Sequence, residues 1–357
     1  MNATAIPLPN LRLPPSGIKK NILRCFFAGL VPIVTSSPGM GKTEIATEIA
    51  REQRLKLIDF RLGQADITDL NGLPRFVMQS DGTERATFVP FDIFPLATDP
   101  LPDHPDGGKY EGWLLLLDEI TSAPKQMQAA SYKLLLERMV GNHRIHPRCV
   151  MMGAGNLSTD RAVVHEMSTA QQSRLIHLEL RVDHPEWMVW AHKHSVDSRI
   201  IGFLEFKPEY LHRFDPNHED KTFACPRTWW FAHKLLEDTP VVGQEDVPVL
   251  AGTVSAGIAT EFVHFCRVYM DLPKIKDIIA LPHACQIPDD PGTKYAMSTV
   301  LADNIDDKNA KEIIIYLKRF PIEHQVVTMR MVHGRNAKLM RNPHVQEIFV
   351  TMGQLGP

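Results

Sequence analysis

Residues 36–43 read Ser36-Ser37-Pro38-Gly39-Met40-Gly41-Lys42-Thr43. They follow an apolar run, Val31-Pro32-Ile33-Val34-Thr35, and precede a stretch of helical spacing, Glu44 to Ala50. Strand, glycine-rich turn, helix is the order that phosphate binding needs. Backbone N–H groups in the turn Ser37-Pro38-Gly39-Met40-Gly41, all but that of the proline, and at the helix start face the anion. Lys42 brings a point charge to the outer phosphates, and the Thr43 hydroxyl can hold Mg2+. The expected ligands are ATP and Mg2+. Ser36 stands where such a loop usually has its first glycine, and a side chain there narrows the backbone's options.

A second group supplies reaction chemistry. Leu114-Leu115-Leu116-Leu117-Asp118-Glu119 is an apolar strand ending in two carboxylates. Downstream of a phosphate loop, such a strand places them at the carboxyl edge of the sheet, where ligands of open α/β folds bind. Asp118 would hold Mg2+, directly or through water. Glu119 would orient and deprotonate the water that attacks a γ-phosphate. Met151-Met152-Gly153-Ala154-Gly155-Asn156 is a third strand with a polar end, and Asn156 beside Glu119 could hydrogen-bond that water or the phosphate. Read alone, Asn156 is a turn-forming residue after glycine.

The elements that position these groups alternate. Strands are expected at 31–37, 55–62, 112–120, 148–155 and 175–180, and helices at 42–53 and 123–139. Such alternation implies α/β architecture, a parallel sheet with helices on both faces. Two insertions interrupt it. Residues 63–111 contain a hairpin signal, Arg75–Gln79 and Ala86–Val89 around Ser80-Asp81-Gly82. Residues 138–148 hold a shorter one turning at Gly141-Asn142. Beyond about residue 182 strand signals fade. Helices are expected at 184–194, 198–206, 227–237 and 247–270. Residues 286–295 have the composition of a linker, and 296–352 are mostly helical.

Composition bounds the partners. The 357 residues are 44% apolar and 23% charged, as in soluble globular proteins. A net charge of −3 gives no support for a strongly basic nucleic-acid surface. No apolar run reaches the ~20 residues that cross a bilayer, and the first 15 residues lack the pattern of a secretory signal. Cys25, Cys149, Cys225, Cys266 and Cys285 are scattered, which argues for a reducing compartment, hence a cytoplasmic protein, and against a disulfide framework or zinc site. His192-x-His194 has the wrong spacing for a metal pair on a helix and reads as surface. Trp229-Trp230 reads as helical core. The basic residues Arg330, Arg335, Lys338 and Arg341 read as a solvated face.

Together the motifs resemble those of the AAA+ ATPases, most closely the MoxR group, over residues 17–285. Residues 38–43, Asp118-Glu119 and Asn156 are similar to Walker A, Walker B and sensor 1. Ala170-Gln171-Gln172-Ser173-Arg174 resembles that group's Ala-Gln-x-Asp-Arg, with Ser173 in place of Asp. The resemblance makes Arg174 the finger reaching a neighbouring subunit's nucleotide, with Arg161 and Arg144 as reserves. Cys225-Pro226-Arg227-Thr228 resembles a sensor 2 helix, which makes Arg227 a contact of the γ-phosphate. Arginines have a physical purpose there, since one stabilising the transferring phosphoryl can contribute about 10³–10⁵ in rate.

The resemblance implies an AAA+ αβα sandwich around a five-stranded parallel sheet (1–183), a helical lid (184–285) and a helical C-terminal extension (286–357). It implies a homo-oligomeric ring, a hexamer, that remodels a protein target, with a von Willebrand A domain protein as partner. The insertions sit where members of the group contact substrates or partners. Rival readings are a DNA-acting motor or loader, a P-loop kinase of a small molecule, and a nucleotide switch that barely hydrolyses.

Overall fold

A computed structural model describes residues 11–160, 165, 167–217, 220–270 and 272–353. The chain divides into two compact units, one up to Val182 and one from Asp183 onward. The first runs β1 (Arg12–Leu13), α1 (Pro15–Phe27), β2 (Pro32–Ser36), α2 (Lys42–Glu52), β3 (Leu55–Arg61), α3 (Ile67–Asn71), β4 (Leu73–Met78), β5 (Glu84–Val89), β6 (Gly112–Asp118), α4 (Lys125–Tyr132), β7 (Met139–Val140), β8 (His143–Arg144), β9 (Cys149–Asn156), α5 (Thr169–Gln172) and β10 (Ile176–Leu180).

Six strands form one parallel sheet in the order β1-β10-β2-β9-β6-β3. The sequence predicts five. The sixth, β1, is two residues ahead of Pro14, too short to show alternation. It is held at the edge by Arg181 N–H donating to the Leu13 carbonyl at 2.9 Å and by an Arg12–Glu179 ion pair at 2.6 Å. Leu114 to Leu117 have no exposed surface, because the sheet is covered on both faces. On one face Val34, Leu114, Leu116 and Met152 pack with Ile18 and Ile22 of α1 and Ile45 and Ile49 of α2. On the other, Ile33, Leu115, Leu117 and Met151 pack with Met127, Leu134 and Leu135.

The predicted helix 123–139 is not continuous. Its α-helical part ends at Tyr132, and Lys133–Glu137 form a π-helical turn that closes at Arg138 in the left-handed region, φ 55°. The Arg138 guanidinium donates to the carbonyls of His146 and Cys149, which holds that reversal.

Both hairpins are present as antiparallel pairs, β4 with β5 and β7 with β8. They lie against each other: a His143 ring nitrogen is 3.0 Å from the Phe88 carbonyl. Gly141 has φ 53°, and a Cβ there would stand 2.5 Å from the Asn71 carbonyl oxygen. Leu73, Phe76, Met78 and Phe88 are exposed on the larger hairpin.

The second unit is helical: α6 (His184–Lys193), α7 (Ser198–Phe206), α8 (Pro226–Leu236), α9 (Val247–Val254), α10 (Ala256–Met270), α11 (Ile275–Ala280), α12 (Pro291–Asn304), α13 (Ala310–Leu317), α14 (Ile322–Arg335) and α15 (Pro343–Gly353). The stretch 247–270 is broken at Ser255, whose φ is 80°. The linker-like stretch 286–295 is irregular only to Asp290, whose carboxylate caps α12 through Thr293 N–H at 2.8 Å. Trp229 is fully buried, as expected, and its indole N–H donates to the Tyr210 carbonyl. Among the described residues no helix is long and apolar enough to cross a membrane.

His192 is not surface. It is 9% exposed, packed against Gly334 of α14, where the missing side chain makes room for the imidazole ring. Its Nδ1 has no hydrogen-bond partner among the described residues. Burial first, then the charge of Arg335, push the imidazole down to about 4. Arg335 itself pairs with Asp303, so it is not part of a free solvated face.

A histidine held neutral in the fold takes up its proton on unfolding. Stability is therefore fully present above the unfolded value, near 6.5, and is lost as pH falls toward 4, by up to about 1.4 kcal/mol per pH unit. Burial of His184 acts in the same direction. Urea midpoints followed by the fluorescence of Trp187, Trp190, Trp229 and Trp230 should fall between pH 7 and pH 5. The fall should be shallower in His192→Leu; equal slopes in the two proteins would remove His192 from the account.

Candidate active site

The phosphate loop begins where β2 ends at Ser36. Gly39 and Gly41 have φ of 76° and 86°, a region that favours glycine. Gly41 caps α2, and nothing lies within 4 Å of where its Cβ would be. Met40 turns inward and joins the cluster with Ile45 and Ile49, anchoring the loop to its own helix. Ser36 is not among the residues with positive φ, so its backbone does not require glycine. Its buried hydroxyl donates to the Ser37 carbonyl at 2.8 Å and accepts from Lys42 Nζ at 3.0 Å.

Sheet register sets the rest. Ser36 pairs with Asn156 across β2 and β9, and Arg61 with Asp118 across β3 and β6. Leu117 pairs with Gly153 across β6 and β9, so the carboxyl ends of β2, β9 and β6 share one edge, with β6 ending two residues short of Asn156. Lys42 Nζ donates to Asn156 Oδ1 at 3.1 Å. Thr43 Oγ1 donates to Asp118 Oδ2 at 3.1 Å, while Asp118 Oδ1 accepts from Glu119 N–H at 2.8 Å. Lys42, Thr43, Asp118, Glu119 and Asn156 are thus brought together as the sequence predicts.

Glu119 is in the left-handed region, φ 57°, an uncommon conformation for a residue with a side chain. The turn after it over-determines that geometry: Ser122 and Ala123 N–H donate to the Glu119 carbonyl, and Ile120 N–H to the Ala154 carbonyl. The Glu119 carboxylate lies over Gly63, where a Cβ would come within 2.8 Å of Oε2. Thr121 accepts from Asn156 N–H at 2.9 Å, and Gly155 lets it approach, since a Cβ there would meet Thr121 Cγ2 at 2.5 Å.

Gly63, Thr121 and Asp59 escape sequence reasoning. None belongs to a motif; strand pairing places Asp59, and the turn after β6 places Thr121 and sets Glu119 over Gly63. Asp59 and Asp118 share a face, two register steps apart. Burial, then the Asp118 charge, raise the Asp59 carboxyl, with Arg61 opposing.

Arg174 is exposed. Its guanidinium donates to the Tyr132 hydroxyl and, at 3.0 Å, to the Ala170 carbonyl, and lies 5.5 Å from the Tyr132 ring centroid. Arg144 is exposed on β8, and Arg161 lies outside the described residues. Arg227 belongs to the second unit, exposed in the first turn of α8. Cys225 N–H donates to Thr228 Oγ1 there at 2.9 Å.

Thr43 and Asp118 offer hard oxygen donors side by side, which suits Mg2+. Among the described residues no group of three or more His, Cys, Asp or Glu could hold a metal. A magnesium ion held by Thr43 and Asp118 would complete its shell with phosphate and water oxygens, as that ion commonly does.

No family model matches the chain, and no curated protein does. Three solved structures are similar at low identity. One is a Cytophaga hutchinsonii protein described as a candidate ATPase, 10% identical over 97% of this chain and 91% of that one, TM-score 0.36. A RuvB mutant of Thermotoga maritima is 15% identical over 94% and 88%, TM-score 0.34. NtrX of Brucella abortus is 12% identical over 98% and 69%, TM-score 0.37. At this level of likeness the site's own geometry has to carry the functional reading.

Gly63→Ala tests the seat of Glu119. The new methyl clashes only with the carboxylate tip of Glu119 and is in ordinary contact with its Cβ, so the fold should be little affected. Displacing the carboxylate should lower nucleotide turnover by about tenfold or more while nucleotide affinity stays within about twofold. Unchanged turnover would show that Glu119 does not need that position.

Proposed function

We propose that the chain is an AAA+ ATPase that hydrolyses ATP to ADP and phosphate. The observation that carries this is one arrangement: Lys42 joined to Asn156 and Thr43 joined to Asp118, each at 3.1 Å, with Glu119 beside them on a strained turn. Loop N–H groups of Ser37, Gly39, Met40 and Gly41, the start of α2 and the Lys42 ammonium would bind the phosphates, around a turn set by Pro38. Mg2+ at Thr43 and Asp118 would neutralise charge on the outer phosphate oxygens. Glu119 would accept a proton from the attacking water, and Asn156 would orient that water or the γ-phosphate. A base and an amide at this edge suit attack by water better than by a bound hydroxyl acceptor, which disfavours a small-molecule kinase.

The finer reading follows the resemblance to the MoxR group. The working form would be a homo-oligomeric ring, a hexamer, with ATP at subunit interfaces. Arg174 would act as the finger toward a neighbour's nucleotide, and Arg227 as the sensor of the γ-phosphate. The surface position of Arg174 supports this, since a finger must reach beyond its own subunit. Hydrolysis would drive remodelling of a protein target, with a von Willebrand A domain protein as partner and the two hairpins as contact surfaces.

Three variants separate the roles. Lys42→Ala should abolish ATP binding. Glu119→Gln should bind ATP and assemble but lose turnover by about 10²-fold or more. Arg174→Ala should bind ATP normally and turn over about 10³-fold more slowly or worse. ATPase rate per subunit should rise with protein concentration, and a rate independent of concentration would end the ring reading. Capture with Glu119→Gln in ATP should retain a protein target; turnover stimulated by DNA and steeply weakened by salt would move the reading to nucleic acid.

A further inference from the structure

The short segment carrying Arg174 is docked on α4 by a set of specific bonds. Ser168 caps α5 through Gln171 N–H, and the Gln171 side chain accepts from Ser168 N–H in return. Gln171 Nε2 donates to the Gln128 backbone carbonyl at 2.8 Å. The Tyr132 hydroxyl donates to the Ala170 carbonyl at 3.0 Å and accepts from Arg174 Nη1. A phenol can donate one hydrogen bond and accept others, so this use of the hydroxyl is consistent. The ring lies under the guanidinium within cation–π range.

Position makes the contact informative. Tyr132 is the last α-helical residue before the π-helical turn Lys133–Glu137. Single π turns inside helices are frequent at functional sites. Met167, Gln171 and Leu175 line a cavity of about 10 Å³ with Tyr132 and Leu135, so the segment rests on packed side chains. Both bonds of the guanidinium run from Nη1. The fork carries five N–H donors, and one edge is occupied while the other can take a phosphate bidentately.

We propose that Tyr132 is the positioning residue of the arginine finger: it fixes one edge of the Arg174 guanidinium so that the other is presented to a neighbouring subunit's nucleotide. The inference rests on the finger reading of Arg174. Tyr132 touches no nucleotide itself and acts through the arginine, by removing rotamers that Arg174 would otherwise sample before each turnover.

Subunit mixing separates this from a structural role. Wild-type subunits are mixed with an excess of Glu119→Gln subunits, which cannot turn over but still lend a finger to wild-type neighbours. The dead subunits carry, in turn, no further change, Arg174→Ala or Tyr132→Phe. Tyr132→Phe keeps the ring and its packing and removes only the hydroxyl. If Tyr132 positions the finger, Tyr132→Phe in the dead subunits lowers kcat of the wild-type sites roughly three- to tenfold, with KM for ATP unchanged. Arg174→Ala in the dead subunits lowers it further.

A tyrosine that only supports its own subunit's fold would change nothing there, because that subunit is already inactive. Loss with Arg174→Ala but none with Tyr132→Phe overturns the positioning role and leaves the finger standing. No loss with either overturns the finger reading and this inference with it. Size-exclusion chromatography of each mixture confirms that the variants enter the ring.

Discussion

The structure depends on the register of three neighbouring parallel strands, β2, β9 and β6. β9 runs between β2 and β6, and its register pairs Ser36 with Asn156 and Gly153 with Leu117. That single alignment brings the phosphate-loop lysine, the paired carboxylates and the amide to one edge, although the sequence spreads them from residue 42 to residue 156. A slip of one residue in β9 would turn Asn156 to the opposite face and bury a polar group among leucines. The leucines of β6 oppose such a slip, because both faces of that strand are committed to packed layers.

Holding that edge requires small residues at close approaches. Gly155 admits Thr121 to the end of β9, and Gly63 admits the Glu119 carboxylate over the end of β3. Glu119 sits in a left-handed conformation that costs on the order of 1 kcal/mol or more outside such a setting. Three backbone hydrogen bonds around it offset that cost and fix where the carboxylate lies. Backbone strain and glycine clearance are here two parts of one device, which aims an acid side chain away from the strand that carries it.

Motifs made by neighbours in sequence were legible in advance. The phosphate loop, Asp118-Glu119, Asn156 and both hairpins have local signatures, and the structure has each where spacing puts it. Residues whose meaning comes from strand pairing were not. Asp59 is an ordinary strand residue until β3 lies beside β6, and Gly63 is one glycine among many until Glu119 turns over it. β1 was missed because two residues cannot show a period, and its stability comes from the edge it joins. His192 was misread because helical spacing tells nothing about a distant helix: Gly334, 142 positions further along the sequence, is what buries it. Ser36 raised a question about loop geometry. A loop position without positive φ tolerates a side chain, and that side chain helps hold Lys42.

Hydrogen bonds also run from the end of β9 to the segment bearing Arg174. Asn156 N–H donates to the Thr121 hydroxyl, His165 N–H to the Thr121 carbonyl, Gln128 Nε2 to the His165 carbonyl, and Gln171 Nε2 to the Gln128 carbonyl. Gln128 is buried, 3% exposed, so its amide is costly to leave unpaired. A continuous path of this kind does not itself transmit a signal; coupling needs an element with two arrangements that both ends bias. The path instead ties two chemical groups to one scaffold. The turn that carries Glu119 and the segment that carries Arg174 are referred to the same helix, α4, and the same strand ends. A correctly formed sheet edge therefore fixes the surface position of Arg174 as well, which is what the proposed finger role requires.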